Sequence, residues 1–483
     1  MKLDQNKAPI YLALKKLIED DTIPFDVPGH KRGRGNALLQ EFIGSRTCEY
    51  DVNSSKTIDY AMHPTGVIRE AEKLMAEAFG ADDAFLMVNG TTSAVQAMVM
   101  AACMEGEKII LPRNVHKSAI NALILSGAIP VYINPGVNHK FGISLGISVL
   151  DVKQTIEENP DAKAIFIINP TYYGICSNIK EIVKIAHEYE MLVLVDEAHG
   201  THLYFGENSP CGGMQLGADM CALSLHKTGG SLTQSSVLLV RNEKINPHYV
   251  RNIINITLTT SSSYLLLTSL DLARKQLVEK GKEMVNRATE LANYARNEIE
   301  KIGGYIVFSR ELINGDTIFD YDVTKLSINV SNIGLSGFEM GSILRDEYHI
   351  LIEYGDANNF MCIISLGDTI ENIDKLVAAL KDIKGKYQSD KKKGAKAEFI
   401  LPEVSISPRE AFYARKMPVL FTESEGFVSG EFVMCYPPGI PVIAPGEVIS
   451  KDAIEYIIYS KEKGSLITGP EDLTNEFINI LVY

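Results

Sequence analysis

Short apolar runs alternate with amphipathic stretches along most of the chain, and this pattern predicts the order of its strands and helices. Runs of four or five apolar residues between turn-forming residues are typical of buried strands, whereas apolar residues at helical spacing indicate helices. We therefore predict strands at residues 84–88, 108–111, 129–133, 164–168, 192–195, 222–225 and 236–240. Because helical stretches separate these strands, the sequence predicts an α/β fold with a mainly parallel sheet and helices on both faces.

The pattern changes on either side of this region and indicates how the chain divides. A short amphipathic pattern covers residues 10–18, and a long helical pattern runs from residue 265 to residue 301. Two more strands are predicted beyond it, at 325–330 and 361–365. A chain of 483 residues is too long for one simple core. We predict an N-terminal segment at 1–48, a large α/β domain at 49–275, a smaller α+β domain at 276–388, a linker at 389–396 and a C-terminal domain at 397–483.

Composition and charge exclude several classes of protein. The formal net charge of −14 argues against a nucleic-acid partner. No apolar run approaches the roughly 18 residues of a membrane span, and no apolar segment follows the charges at the N-terminus, so we expect neither membrane insertion nor export. The seven cysteines are scattered and include no Cys-x-x-Cys pair. They indicate a reducing cytoplasm and give no support for a metal site or a disulfide frame.

Two of the predicted strands end in residues that could hold a ligand. Asp196 follows the strand at 192–195, and open α/β sheets bind ligands at the carboxyl ends of their strands. Gly90 to Ser93, with Thr91 and Thr92 between them, follow the strand at 84–88 and open a helical pattern. Helix N-termini offer N–H groups and a positive dipole end, so these residues could bind a phosphate. Taken singly, each feature is more typical of an ordinary helix start or loop.

A third strand end carries a lysine. Ser224-Leu-His-Lys227 stands at the end of the strand predicted at 222–225 and resembles the cofactor lysine of pyridoxal-phosphate enzymes. Such a lysine requires an acid for the pyridine nitrogen and donors for the phosphate. The order along the chain, hydroxyl residues, then acid, then lysine, meets those requirements.

Longer motifs make the resemblance specific. They are, in chain order, Val27-Pro-Gly-His-Lys-Arg-Gly33, His63-Pro-Thr-Gly-Val-Ile-Arg-Glu-Ala71, Asn114-Val-His-Lys-Ser118, Asp196-Glu-Ala-His199, Ser224-Leu-His-Lys227, Leu258-Thr-Thr-Ser-Ser-Ser-Tyr264 and Glu431-Phe-Val-Met-Cys-Tyr-Pro-Pro-Gly-Ile-Pro441. Together they resemble the ornithine/lysine/arginine decarboxylase family of fold-type-I pyridoxal-phosphate enzymes over nearly the whole chain. The likeness is strongest to the short form of the family, the bacterial biosynthetic arginine decarboxylase type, which lacks an N-terminal wing domain.

The resemblance implies a role for each residue around the cofactor ring. Lys227 would bind the cofactor covalently, Asp196 would pair with the ring nitrogen, and His116 would stack on the ring. Ala198 would pack beneath the ring. His199 follows Asp196 on the same side of the site, where it would contact the ring oxygen, contact the substrate carboxylate or make a structural hydrogen bond.

Other roles concern the phosphate, the proton and the subunits. The resemblance adds Ser224 and His226 to the phosphate-binding residues, with Thr259 reaching over from a neighbouring subunit. A site that shares residues between chains implies a homodimer or a larger homo-oligomer. The proton that the product acquires at Cα could come from Lys227, from His226 or from a water molecule that they position.

The expected reaction is decarboxylation of a basic amino acid, and the preferred substrate is L-arginine, which gives agmatine for polyamine biosynthesis. Lysine, which gives cadaverine, and ornithine stay open, because the three differ only in the distal cation. Glu353 is our candidate contact for that cation, and His30 lies in a basic loop that could close over the site or contact a neighbouring subunit. The segment 57–63 is more apolar than in relatives, so a less polar substrate also stays open.

Two functions from other protein classes stay open. A fold-type-I aminotransferase or lyase would share Asp196 and Lys227 and would normally need a carboxylate-binding arginine late in the chain, for which Arg345 and Arg409 are candidates. An inactive regulatory homologue is the second alternative. The intact Lys227, Asp196 and His116 argue against it.

Overall fold

Residues 2–387, 402–436, 439–462 and 464–482 are described by a computed structural model, so the linker predicted at 389–396 lies outside the described residues. The chain forms two units. The first comprises Met1–Ala101, Leu194–Glu207 and Cys211–Val285, and the second comprises Ala102–Val193, Asn208–Pro210 and Asn286–Tyr483. The domain boundaries inferred from the sequence stay a prediction.

Four neighbouring strands form the sheet of the first unit. Their order is Asp83–Met87, Ser236–Val240, Met220–Leu223 and Leu192–Glu197, of which Leu194–Glu197 belong to this unit. Ser236–Val240 runs antiparallel to both neighbours, whereas the last two strands are parallel. The carboxyl ends of the other three strands therefore lie at one edge of the sheet, together with the amino end of Ser236–Val240.

The helices of the first unit follow the amphipathic stretches of the sequence. They are Pro9–Glu19, Ala37–Ile43, Ser45–Tyr50, Val67–Phe79, Gly90–Ala102, Leu225–Thr228, Pro247–Thr257 and the start of Tyr264–Ile302, with short 3-10 helices at Thr201–Tyr204 and Met214–Leu216. The pattern at residues 10–18 is confirmed, because Pro9–Glu19 buries Ile10 and Leu14. The strand predicted at 222–225 ends at Leu223 instead. Leu225 is buried as the first residue of a short helix, so its apolar character did not indicate a strand.

The second unit contains three parallel strands and an antiparallel sheet. Ala164–Ile168, Lys108–Pro112 and Ile129–Ile133 lie in this order and are accompanied by the helices Lys117–Ser126, Val149–Glu158 and Ile179–Glu188. The antiparallel sheet has the order Ile306–Val307, Lys325–Asn329, Asn359–Ile363 and Tyr354–Gly355. The end of Tyr264–Ile302 and the helices Gly337–Tyr348 and Ile370–Tyr387 bury apolar side chains against it. This part is the α+β fold expected from the sequence.

The C-terminal residues of the second unit have an apolar core of their own. Its strands are Pro441–Ile443, Val433–Tyr436 and Leu466–Thr468 in one sheet and Lys416–Leu420 with Phe477–Leu481 in another, and its helices are Pro408–Tyr413 and Lys451–Glu462. Phe421, Val433, Ile457 and Ile478 pack in this core. The remaining short elements of the unit are the pairs Val137–Asn138 with Ile143–Ser144 and Ile175–Cys176 with Asp320–Tyr321, and 3-10 helices at Arg310–Leu312, Ser331–Ile333 and Phe421–Glu423.

The helices in the described ranges include none that is both long enough and apolar enough to cross a membrane. The fold class predicted from the sequence, a mainly parallel α/β sheet with helices and a smaller α+β part, is confirmed.

Candidate active site

The sheet edge of the first unit brings together the three groups of residues that the sequence singles out. Gly90–Ala102 begins shortly after the strand that ends at Met87, and the helix Leu225–Thr228 follows Leu223. Asp196 pairs with Ala222 across the two parallel strands, close to the same edge. The site therefore results from strand order, because three chain segments distant in sequence end side by side.

Lys227 and His199 are in direct contact. The Lys227 Nζ lies 3.0 Å from the His199 Nε2. His199 is buried, and Lys227 is half-buried in the short helix Leu225–Thr228. The charge of Lys227 also acts on Asp196. The amine that the sequence predicts as the cofactor attachment point thus contacts the His199 imidazole and interacts electrostatically with the Asp196 carboxylate.

Asp196 is a buried carboxylate, and its burial disfavours the charged form. It accepts one hydrogen bond from the Ala198 backbone N–H, at 3.1 Å. Burial raises the pKa of Asp196, because it disfavours the charged form, while the Ala198 N–H and the Lys227 charge act in the opposite direction. A cation next to the carboxylate would stabilise its ionised form.

The hydroxyl groups of Ser224, Thr91 and Ser236 form a series of hydrogen bonds. The Ser236 end of the series sets the direction of every bond in it. Ser236 donates to the carbonyl oxygen of Leu223 at 2.6 Å, since a carbonyl can only accept. Its single hydrogen is then used, so Thr91 donates to Ser236 and Ser224 donates to Thr91, with both oxygen–oxygen distances 2.5 Å. Ser224 could donate to a phosphate only by turning away from Thr91.

The start of the helix Gly90–Ala102 is held by Gln234. The Gly90 N–H donates to the Gln234 carbonyl at 2.9 Å, and the Gln234 side chain donates to the Val88 carbonyl at 2.8 Å. Gly90 adopts a left-handed φ of +74°, which glycine tolerates best. Ser93 donates its hydroxyl to the Gly90 carbonyl at 2.9 Å, while Thr92 is exposed. Gly90 and Ser93 thus shape this turn through bonds within the chain.

His226 has a structural bond in the same region. Its Nδ1–H donates to the Ser235 carbonyl at 2.9 Å. The buried Thr201 hydroxyl donates to the Ser224 carbonyl at 3.1 Å and so ties the loop after Asp196 to the lysine helix.

Sequence reasoning missed Ser236, Ser235 and Thr201. Ser235 and Ser236 stand at the start of the strand predicted at 236–240, so the rule that strand ends carry the site could have found them. Thr201 has no comparable signal, since its contact depends on the path of the loop.

His116 lies in the second unit and caps the helix Lys117–Ser126. Its Nδ1 accepts the Ser118 backbone N–H at 3.2 Å and lies 2.9 Å from the Ser118 hydroxyl. Because Nδ1 accepts, the neutral ring carries its proton on Nε2. The capping bond gives His116 a structural role in this helix, and its role in stacking on the cofactor ring stays a prediction.

Three further candidates have local contacts within their own units. The His30 ring bonds to Asp51 at 3.1 Å through Nε2 and accepts the Gly33 N–H at 3.1 Å through Nδ1. Thr259 is exposed and its hydroxyl oxygen accepts the Ser261 N–H at 3.2 Å. Glu353 is exposed in the second unit.

Burial lowers the pKa of Lys325, and the charge of Glu353 acts against that shift. Of the two arginines weighed for an aminotransferase, Arg345 pairs with its neighbour Asp346, and Arg409 donates to the Leu125 carbonyl. Among the residues that the structure describes, no group of three or more His, Cys, Asp and Glu side chains could hold a metal ion.

Comparison with known proteins gives a consistent result over nearly the whole chain. The Orn/Lys/Arg decarboxylase major domain matches residues 8–372, and the C-terminal domain of the same family matches residues 390–472. The chain is 41% identical to an arginine decarboxylase of Bacillus anthracis, over 99% of this chain and 98% of the relative, and 41% identical to that of Bacillus subtilis, over 99% of both. A lysine decarboxylase structure from Francisella novicida has a TM-score of 0.86 at 22% identity, over 98% of this chain and 81% of the other, which supports the fold.

Proposed function

Because the chain belongs to the Orn/Lys/Arg decarboxylase family, we propose that it decarboxylates L-arginine with pyridoxal phosphate and releases agmatine and carbon dioxide. The observation that carries the choice of arginine is the near-full-length likeness to the Bacillus arginine decarboxylases. In this reaction the bond between Cα and the carboxylate breaks, its electron pair stays at Cα, and one proton is added there. The enzyme is a carboxy-lyase.

The residues around Lys227 fit pyridoxal phosphate by their chemistry. Lys227 offers a primary amine for the aldehyde, and the buried Asp196, whose pKa burial raises, would gain from a protonated ring nitrogen. The phosphate would bind at the start of Gly90–Ala102, where the N–H groups of Thr91 and Thr92 have no partner within the helix. When bound, the cofactor supplies an electron-withdrawing ring that accepts the charge left by carbon dioxide.

Lys227 and His199 are our candidates for proton transfer to Cα. Their nitrogens are 3.0 Å apart, so a proton on one is hydrogen-bonded to the other. His226 is less suited at Nδ1, since that proton is donated to the Ser235 carbonyl. We therefore assign the donor role to Lys227, with His199 holding the amine in place.

The distal guanidinium of arginine requires an acidic partner, and Glu353 remains our proposal for it. The proposal is supported by its exposure, which leaves the carboxylate accessible to a cation. Replacing Glu353 with Gln should then lower kcat/KM for arginine more than for an uncharged analogue. An unchanged ratio would remove Glu353 from the site.

We also propose that the enzyme works in the cytoplasm as a homodimer or larger homo-oligomer whose sites take Thr259 from a neighbouring subunit. The exposure of Thr259 supports this, because an exposed hydroxyl can reach another chain. Mixed oligomers of the Lys227→Ala and Thr259→Ala chains would contain some sites with both residues intact. They should regain activity that neither variant has alone, and mixed oligomers without such a gain would contradict the sharing.

A turnover panel tests the proposed reaction. Arginine, lysine, ornithine and the aromatic amino acids are each incubated with the protein and pyridoxal phosphate, and the amine and carbon dioxide are measured. We expect agmatine from arginine as the main product, without any keto-acid acceptor, and no turnover by Lys227→Ala. Cadaverine as the main product would transfer the assignment to lysine. A dependence on a keto acid would indicate an aminotransferase.

A further inference from the structure

The buried Arg113 links the residues before His116 to the C-terminal part of the chain through oriented bonds. Its Nε and Nη2 donate to the two carboxylate oxygens of Glu447, each at 2.8 Å. Its Nη1 donates to the Pro441 carbonyl at 2.9 Å, and Nη2 also lies 3.4 Å from the Val442 carbonyl. The side chains of Arg113 and Glu447 are 3% and 2% exposed, so solvent cannot replace these bonds.

The helix that follows His116 is contacted by C-terminal residues at both ends. The Lys117 backbone N–H donates to the Gly439 carbonyl at 3.1 Å. At the other end, the Arg409 guanidinium donates to the Leu125 carbonyl at 2.9 Å. The turn that carries His116 is therefore enclosed by bonds to residues more than three hundred positions later in the sequence.

We infer that residues 439–447 are a positioning element for His116, with the Arg113–Glu447 pair as its anchor. This inference rests on the proposed role of His116 in holding the cofactor ring. It also gives a role to the end of the motif 431–441, whose Gly439 and Pro441 carbonyls accept bonds from either side of His116.

A buried ion pair is a poor way to gain stability, because the loss of hydration offsets the attraction between the charges. A bidentate arginine instead fixes direction, since its planar donors match both carboxylate oxygens at once. The Glu447 carboxylate is fixed in turn by the Ala444 N–H at 2.7 Å. Arg113 and Glu447 are thus positioning residues, which act through His116.

The test compares Glu447→Gln with a matched variant, Asp271→Asn. The Asp271–Arg274 pair is 0% exposed and belongs to the first unit, whereas Arg113, His116 and Glu447 belong to the second. Amide hydrogen exchange of the cofactor-free proteins is measured over residues 114–118. We expect exchange there to become about tenfold faster in Glu447→Gln and to stay unchanged in Asp271→Asn.

Cofactor binding gives the second readout. The dissociation constant of pyridoxal phosphate and the circular dichroism of the bound cofactor are measured for both variants and for His116→Ala. In Glu447→Gln, the dissociation constant and the circular dichroism should change in the same direction as in His116→Ala. In Asp271→Asn, neither quantity should change. If Glu447→Gln does not fold, the double change Arg113→Met with Glu447→Met replaces it, since an apolar pair removes both charges together.

Unchanged exchange over residues 114–118 in the folded variant would overturn the inference. So would a normal dissociation constant in a variant whose exchange is faster. A His116→Ala protein that binds the cofactor normally would instead refute the proposed role of His116, and the exchange data would still report whether Glu447 positions the turn.

Discussion

Replacing Asp196 with Asn is expected to change activity and stability in opposite directions. The amide keeps the size of the side chain and an oxygen that can accept the Ala198 N–H, which now donates at 3.1 Å. It removes the charge that we assign to the cofactor ring nitrogen. Removal of one preorganised group from an active site costs about 2.7–4 kcal/mol of transition-state stabilisation, so kcat/KM for arginine should fall roughly 10²–10³-fold.

The stability of the cofactor-free protein should instead increase. Burial raises the pKa of Asp196 above its usual value of 3.8, so the folded chain holds this proton more tightly than the unfolded chain does. Wild-type stability therefore falls as the pH rises from 3.8 through the raised pKa, and the Asn side chain escapes this loss because it does not titrate. Above that window we expect Asp196→Asn to be more stable by about 1–3 kcal/mol, the cost of an incompletely satisfied buried group.

Urea denaturation of both cofactor-free proteins from about pH 3.5 to about pH 8 measures the second effect, and carbon dioxide release with excess cofactor measures the first. The advantage of Asp196→Asn should grow with pH. A variant that retains wild-type kcat/KM, or one that is less stable than the wild type at neutral pH, would refute the reasoning.

Three further predictions concern the surroundings of the site and the loop that precedes the strand Phe477–Leu481. Ser236→Ala removes the donor to the Leu223 carbonyl and should lower the free energy of unfolding by about 1–3 kcal/mol in urea, where no change would disprove the hydroxyl series. Gly90→Ala should lower the free energy of unfolding by about 1–2 kcal/mol through backbone strain alone, because no neighbouring atom lies within 4 Å of the added carbon. Gly80 has a similar left-handed φ of +71° and equally open space, so Gly80→Ala should cost the same. Backbone N–H groups lower the pKa of Asp472 from 3.8 to about 2. Its contribution to stability is therefore present above pH 3.8 and is lost as the pH falls towards 2. The melting temperatures of wild type and Asp472→Asn should converge over that range.

The strands of both units could be predicted because buried strands read as uninterrupted apolar runs. The runs at 164–168 and 236–240 coincide with buried strands, and the run at 129–133 coincides with a partly exposed edge strand. The run at 222–225 did not, since Leu225 is buried by a helix there, and apolar character alone reports burial and not backbone conformation.

The sequence also predicted a position for the candidate site. Asp196 and Lys227 each stand just beyond an apolar run, and strand ends are where an open sheet leaves space for a ligand. The reaction was inferred from the resemblance to a decarboxylase family, and the comparisons confirm that family. The contact between Lys227 and His199 was not predicted, because residues 28 positions apart show no periodic relation.

By itself, then, the sequence determined where most of the strands lie and which acid and which lysine are the candidates for the site, because these depend on local apolar pattern and on residue type. Only the tertiary structure decided which hydroxyl donates to which. Each hydroxyl has one hydrogen, so the direction of the Ser224 hydrogen bond is set by the bonds that Thr91 and Ser236 make. It alone decided that Glu447 anchors Arg113 across 334 positions, because a pairing between distant residues is made by the path of the chain and leaves no pattern along it.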